Sequence, residues 1–350
     1  MESALPIPGR GTGLNPANRF ERIHVAWEPG DGDPEEPAPK TEFYWDDSRS
    51  LLSENSSPDL PFRWSINPYR GCEHGCSYCY ARPYHEYLGL SAGLDFESKI
   101  FVKRNAAALL RAELMKPSWQ PQWISLSGVT DPYQPAEARF KVTRSVLEVM
   151  AEFRQPCGVI TKNALVARDI GLLRELARFG AVGVVLSITT LDETLRRKLE
   201  PRTATTARKL EALRTLSEAG IPAGVNVAPI IPGLNDAEIP AILAAARKAG
   251  ARWAGMTIVR LPMAVAQIFE DWLRREYPGR ADKVLKRIRE MRGGRLNSPE
   301  FGERMKGRGE RADGLVKLFE LARRRAGFGQ ERFGLSAEAF RRPGETRALF

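Results

Sequence analysis

Three cysteines, Cys72, Cys76 and Cys79, fall within eight positions in the stretch GCEHGCSYCY, and the 350-residue chain has only one other, Cys157. Thiolates are soft ligands suited to zinc, copper(I) or iron–sulfur clusters. A closed structural zinc site takes four ligands, usually as two pairs, and this loop offers three. Two residues offer themselves as a fourth. His74 lies inside the loop and reads more readily as a solvent-facing histidine. Cys157 lies far downstream, one residue before a predicted strand. That is the amino end of the strand, away from the loop, so Cys157 reads as a buried structural thiol. A zinc loop stays open as the alternative.

Three thiolates on a four-iron cluster leave one iron without a protein ligand, whereas electron-transfer clusters usually take four cysteines. An iron left open is able to bind a substrate or cofactor. Reductive cleavage of bound S-adenosylmethionine (SAM) is chemistry of this kind, and it generates a radical that no side chain supplies alone.

The elements around the loop must position it. Short apolar runs predict strands at 64–69, 99–103, 123–128, 158–162, 182–188, 223–230 and 253–259. Amphipathic stretches with apolar residues three and four apart separate them: NAAALLRAELM, TRSVLEVMAEF, RDIGLLRELARF, ATTARKLEALRTLSEAG and DAEIPAILAAARKAG. Asn235-Asp236 is placed to cap the last of these, and Gly220 to close the one before it. Strands alternating with helices imply a parallel sheet covered by helices. KIFVK at 99–103 is the weakest of the strands, and without it six strand–helix steps remain. The fold class expected is therefore α/β, a curved, partial (β/α)6 TIM-like barrel. The cysteine loop follows its first strand, at the carboxyl end where barrel chemistry sits.

Residues 1–60 lack an apolar period. GDGDPEEPAPK and SENSSPDLP are rich in Gly, Pro, Ser and acids, which predicts an irregular segment, mobile or extended. Residues 61–262 form the barrel, and 263–350 read as a basic helical extension, with AQIFEDWLRREY, ADKVLKRIREM and GLVKLFELARRRAGF separated by a Gly- and Arg-rich loop. The formal net charge is +10, with 53 Lys/Arg against 43 Asp/Glu, and most of the excess lies in this last quarter. It fits attraction of a polyanion such as nucleic acid, or equally a solvated helical face, because acids are interleaved with the bases. No apolar run approaches the length that spans a bilayer, and the first residues show no basic start followed by an apolar stretch. A cytoplasmic location without membrane contact is expected, where clustered cysteines hold metal more often than they form disulfides.

With Cys72, Cys76, Tyr78 and Cys79, the sequence resembles the radical SAM superfamily, whose signature is Cys-x3-Cys-x-aromatic-Cys. The resemblance covers roughly residues 60–262 and implies a [4Fe-4S] cluster, SAM as cofactor, and an external one-electron reductant of flavodoxin or ferredoxin type. It implies reductive cleavage of SAM to a 5′-deoxyadenosyl radical that abstracts hydrogen from a substrate. By the same resemblance Tyr78 lies near the adenine. SLSGVTDPYQPAE stands where the family often has Gly-Gly-Glu. There Gly128 allows close backbone approach, and Thr130 or Asp131 supplies an oxygen for the methionine amino group; a plain loop role for Asp131-Pro132 is the alternative. Strand-end logic and resemblance together place Lys162 at the barrel mouth, to hold the methionine carboxylate, and Ser187 to bond carboxylate or ribose. Asn226 faces the cavity in an unassigned role. TDPYQPAE, TKNALVARDI and SITTLDE are similar to the branch containing spore photoproduct lyase. That branch implies a cysteine hydrogen donor just after the second strand. Ser125–Asp131 contain none, and Val129 stands at the expected place, so the chain does not read as a true lyase. A nucleic-acid substrate, a peptide or small-molecule substrate, and a non-enzymatic iron–sulfur or zinc module are the readings left open.

Overall fold

The computed structural model describes residues 7–20, 40–329 and 334–344. Ten strands are present among them: β1 Glu42–Trp45, β2 Leu52–Glu54, β3 Trp64–Ile66, β4 Tyr69–Arg70, β5 Lys99–Val102, β6 Ile124–Leu126, β7 Cys157–Thr161, β8 Val182–Ile188, β9 Ala223–Ile230 and β10 Trp253–Ile258. Seven form one sheet in the order β10-β9-β8-β7-β6-β3-β2, with all but β2 parallel. The six parallel strands are the six steps expected of the partial barrel.

Side-chain alternation gives the sheet two unlike faces. Ile66, Leu126, Val159, Val184 and Ala223 pair across successive strands and are all buried in the main core. That row packs outward against the covering helices. The opposite row runs Ser65, Ser125, Gly158 and Gly183. The residues of this row are small, and Ser65 and Ser125 are themselves buried. Two and four positions further along the same face come Ile160 and Lys162, Val185 and Ser187, with Ser187 in register with Asn226. Lys162, Ser187 and Asn226 thus share the inner face near the carboxyl ends, as their sequence positions imply.

KIFVK does form a strand, but outside the barrel. β5 pairs parallel with β1 and antiparallel with β4 in a separate three-stranded sheet. The predicted first strand accordingly breaks at Asn67-Pro68: its first half joins the barrel and its second half this smaller sheet. β1 and β2 show that parts of the first sixty residues are extended and paired. GDGDPEEPAPK, apart from Lys40, lies outside the described residues. Asn235 does not cap its helix by a side-chain bond. Its amide instead donates to the carbonyls of Thr189 and Pro229 and accepts from Ile231 N, tying the ends of β8 and β9 together.

The C-terminal extension contains the three expected helices, at Ala264–Glu276, Pro278–Glu290 and Glu310–Arg325. The first two bury Val265, Phe269, Trp272, Val284, Leu285 and Ile288 in a second apolar cluster that also contains Cys76 and Tyr78. Much of the basic charge is paired, as in Arg274–Glu270, Arg275–Asp271 and Arg311–Glu290. The loop between the second and third helices spans the open side of the barrel. Met305 O accepts from Ile258 N on β10 (3.0 Å), while Gly302 N and Arg304 Nε donate to Asp59, beyond β2 (2.7 and 2.6 Å).

Candidate active site

The cysteine loop is held from three sides. Arg82, fully buried, donates to Cys76 O (3.0 and 2.9 Å), Gly93 O (2.9 Å) and Ala92 O (3.3 Å), and it pairs with the equally buried Glu97. Gln134 grips the loop from the β6 side, donating to Gly71 O and accepting from Glu73 N, both at 3.0 Å. The segment around Arg10-Gly11 closes the third side. Gly11 N donates to Glu97 (2.9 Å), and Arg10 donates to Glu97 O (2.8 Å). Gly75 turns the loop with φ +66, and Gly11 crosses it so closely that a Cβ on Gly11 would stand 1.5 Å from Gly75 O. The cysteine positions are legible in the sequence, whereas none of these supports belongs to a local pattern.

Cys72, Cys76 and Cys79 are packed among apolar neighbours, including Ala81, Phe96 and Val129. Burial raises the pKa of all three thiols, and at Cys72 and Cys76 the charge of a neighbouring thiol raises it further. A cation among them reverses that balance, since a coordinated thiol is deprotonated outright. Among the described residues no three His, Cys, Asp or Glu side chains close on a single-ion position. Zinc holds its sulfur ligands at about 2.3 Å; a polynuclear cluster spreads its ligands further apart, and three soft donors fit that demand. Cys157 begins β7 fully buried in the main core, its thiol pushed up to about 12 by burial, with no part in the loop.

Above the loop, Glu200 gathers the mouth of the barrel. Its buried carboxylate accepts from Lys162 Nζ (3.0 Å), Lys209 Nζ (3.2 Å), Thr189 and the Tyr78 hydroxyl. Burial alone would raise its pKa, but the two ammonium groups outweigh that and hold it well below the usual carboxylate range. Two cations on one anion leave a surplus positive charge. Lys162, the more exposed of the two, also donates to Ala228 O (2.9 Å) and lies 5.5 Å from the Tyr78 ring centroid. Tyr78 and Lys162, singled out separately in the sequence, are thus joined through Glu200, which carried no sequence signal.

The loop after β6 differs from expectation in detail. Asn67 Oδ1 accepts from three successive amides, Gly128 N, Val129 N and Thr130 N (3.1, 2.7 and 3.1 Å). A Cβ on Gly128 would lie 2.6 Å from Ser65 Oγ, so this glycine is required by the approach to β3. Thr130 is buried, and its hydroxyl donates to Tyr69 O (2.9 Å); its role here is to fix the loop. Asp131 accepts from Thr161 Oγ1 and Lys162 N, both at 2.7 Å, and faces His74 Nδ1 at 3.4 Å. Burial acts to raise the Asp131 pKa, but His74 and these donors win and lower it. His74 is therefore buried and paired, contrary to the solvent-facing expectation, because its loop folds inward against Asp131 and Asn163. The stretches TDPYQPAE and TKNALVARDI meet again where Tyr133 and Arg168 both bond Asp169, and Arg168 bonds Glu137.

A family model described as the radical SAM superfamily matches residues 66–246, from the first barrel strand to the helix before β10. The chain belongs to the radical SAM superfamily. An uncharacterized protein of Mycobacterium tuberculosis (strain ATCC 25618 / H37Rv) is similar to this radical SAM chain, 36% identical over 268 residues, covering 75% of the chain and 76% of the relative. An uncharacterized protein of Methanocaldococcus jannaschii is 33% identical over 176 residues, 50% of the chain and 63% of the relative. Among solved structures, a spore photoproduct lyase variant with bound AdoMet and dinucleoside spore photoproduct superposes with a TM-score of 0.55 at 18% identity, covering 81% of this chain and 78% of that one. Likeness at that identity shows the shared fold. Radical SAM proteins use a [4Fe-4S] cluster and SAM, and the thiol trio of this chain, Cys72 and Cys76 buried and Cys79 half-buried, has the donor chemistry for such a cluster. No helix among the described residues is long and apolar enough to cross a membrane.

Proposed function

We propose that this chain is a radical SAM enzyme in which Cys72, Cys76 and Cys79 hold the cluster, the strand ends above them hold SAM, and the substrate is a nucleic acid. The carrying observation is the placement of the surplus-cation group Lys162–Glu200–Lys209 against Tyr78, two residues from Cys76 in the chain. When bound, the cluster and SAM supply reductive cleavage to methionine and a 5′-deoxyadenosyl radical, with one electron from a flavodoxin- or ferredoxin-type donor.

Lys162 offers its ammonium to the methionine carboxylate, with Glu200 and Lys209 fixing its position. Tyr78 packs against the adenine. Gly128 brings backbone close to the methionine moiety, and Ser187 on the inner face bonds carboxylate or ribose. Thr130 acts through the loop it anchors rather than as an open oxygen ligand. Val129 beside the cysteines is apolar, so a lyase-type cysteine donor after β6 is missing, and the reaction differs there from that of the lyase. The nucleic-acid reading draws on the dinucleoside bound in the structurally similar lyase and on the net charge of +10.

The test is anaerobic incubation of reconstituted protein with dithionite and SAM, followed by chromatography for 5′-deoxyadenosine. Wild type forms it and Cys76→Ala does not. Colourless wild-type protein carrying stoichiometric zinc and forming no 5′-deoxyadenosine would overturn the proposal.

A further inference from the structure

Residues just beyond Cys79 form a surface that the SAM site does not use. Tyr84 and Tyr87, on the short 3-10 helix Arg82–Leu88, are 53% and 67% exposed, and their ring centroids lie 6.3 Å apart. Phe20 continues the row, 57% exposed and 5.2 Å from Tyr87. Arg19 lies over both Phe20 and Tyr87, at 4.7 and 5.3 Å. Near Tyr84, Arg260 lies 5.1 Å over Tyr80, the residue after Cys79. Arg304 and Phe301, 4.7 Å apart on the loop that spans the open side of the barrel, carry the alternation further. Large rings exposed in a contiguous patch mark an interaction site.

The charges in the patch identify the kind of partner. Glu86 is taken by Arg19 (3.2 Å) and Asp59 by Arg304 (2.6 Å). Arg260 forms no ion pair with any of the described residues; its Nη1 donates to Met305 Sδ (3.3 Å), and its buried Nε has no hydrogen-bond partner. It sits two residues past the end of β10, at the carboxyl rim of the barrel. A guanidinium whose nearby carboxylate, Asp59, is already paired with Arg304, flanked by exposed rings, suits a phosphate next to stackable bases. Exposed rings stack on bases only where these are unpaired, which selects a single strand over a duplex.

We propose that this aromatic–guanidinium strip binds single-stranded nucleic acid alongside the cysteine loop, with Tyr84 and Tyr87 stacking bases and Arg260 holding a phosphate. The assignment rests on the nucleic-acid reading above and gives it a surface. A strand laid there passes Tyr80 and Cys79, so a nucleotide is delivered to the rim of the barrel.

The test is fluorescence anisotropy of full-length protein with a labelled fifteen-residue oligothymidylate at several salt concentrations, with a duplex of equal length as comparison. Wild type is expected to bind the single strand more tightly. Tyr84→Ala and Tyr87→Ala each weaken binding about tenfold, in line with the loss of one stacked base. Arg260→Met lowers the slope of log affinity against log salt by about 0.7, one phosphate contact on a single strand. Leu321→Ser, an exposed apolar residue on the last helix, leaves binding unchanged, and equal Tm values show that the variants are folded. Absence of binding, equal duplex binding, or indifference to all three strip substitutions overturns the proposal. Assay of 5′-deoxyadenosine on the same wild-type preparation keeps the two readings apart. Its formation without oligonucleotide binding overturns the strip alone, and binding without its formation overturns the SAM reading alone.

Discussion

Arg82→Met tests whether the buried Arg82–Glu97 pair builds the cysteine loop. Methionine keeps most of the apolar stem but removes the guanidinium and its bonds to Cys76 O, Ala92 O and Gly93 O. Glu97, fully buried, then loses its ion-pair partner and keeps the Gly11 amide and the weaker attraction of Arg10. Breaking a buried pair from one side costs about 3–5 kcal/mol, because the remaining charge stays desolvated. Unfolding entropy is about 2.1 cal/mol/K per residue near 60 °C, so for a chain of this length the loss lowers Tm by about 4–7 °C. Differential scanning calorimetry of the cluster-free protein measures this without any contribution from iron. Reconstituted Arg82→Met is expected to retain much less iron and sulfide than wild type, because the Cys76 carbonyl is no longer held. Adding Glu97→Gln relieves the stranded charge, so the double variant loses less stability than the two single variants together. A Tm within about 1 °C of wild type with full iron loading, or strictly additive single losses, would refute the reasoning.

Gly11→Ala places a Cβ 1.5 Å from Gly75 O, where neither backbone yields cheaply; expected are faster proteolysis within the first twenty residues and reduced iron loading. Lys162→Met removes the more exposed ammonium on Glu200, and equilibrium dialysis of the reconstituted protein should show SAM binding weakened about tenfold or more, the scale of a charge-assisted bond, with iron content unchanged. Cys157→Ala should cost about 1 kcal/mol for a methyl-sized core cavity without loss of iron, whereas Cys79→Ala loses the cluster; iron analysis separates the two. Burial lowers the His85 pKa to about 4, so the unfolded chain, at about 6.5, binds the proton more readily. Its stabilising contribution is complete above pH 6.5 and falls by about 2–3 kcal/mol by pH 4.5, and His85→Phe should flatten that part of the stability–pH curve. Parallel curves for the two proteins would count against the assignment.

How much was legible beforehand follows from the range of each interaction. Strand–helix alternation is written in local periodicity, and it gave the six parallel strands and the three C-terminal helices within a few residues. KIFVK shows the limit of such patterns, because an apolar run says that a strand is buried and not which sheet it joins; β5 joined β1, more than fifty residues earlier. His74 shows another limit. A polar residue in a Gly-rich loop reads as exposed until the loop folds inward onto Asp131.

The sequence by itself determined the donor set proposed for the chemistry. Three soft ligands with an aromatic between them are specified by spacing along one short loop, and a loop needs no partner to be recognised. Strand ends likewise put Lys162 and Ser187 on the inner face, because alternation along a strand is local. Only the tertiary structure decided what supports and charges that site. Glu200 draws Lys162, Lys209 and Tyr78 together, Arg82 and Glu97 tie the loop to a segment about sixty residues earlier, and Asn67 gathers three amides of the loop after β6. Each of these depends on groups brought together by tertiary folding, where low dielectric makes an unpaired charge or amide costly. That cost selects the partners, and it has no expression in local sequence.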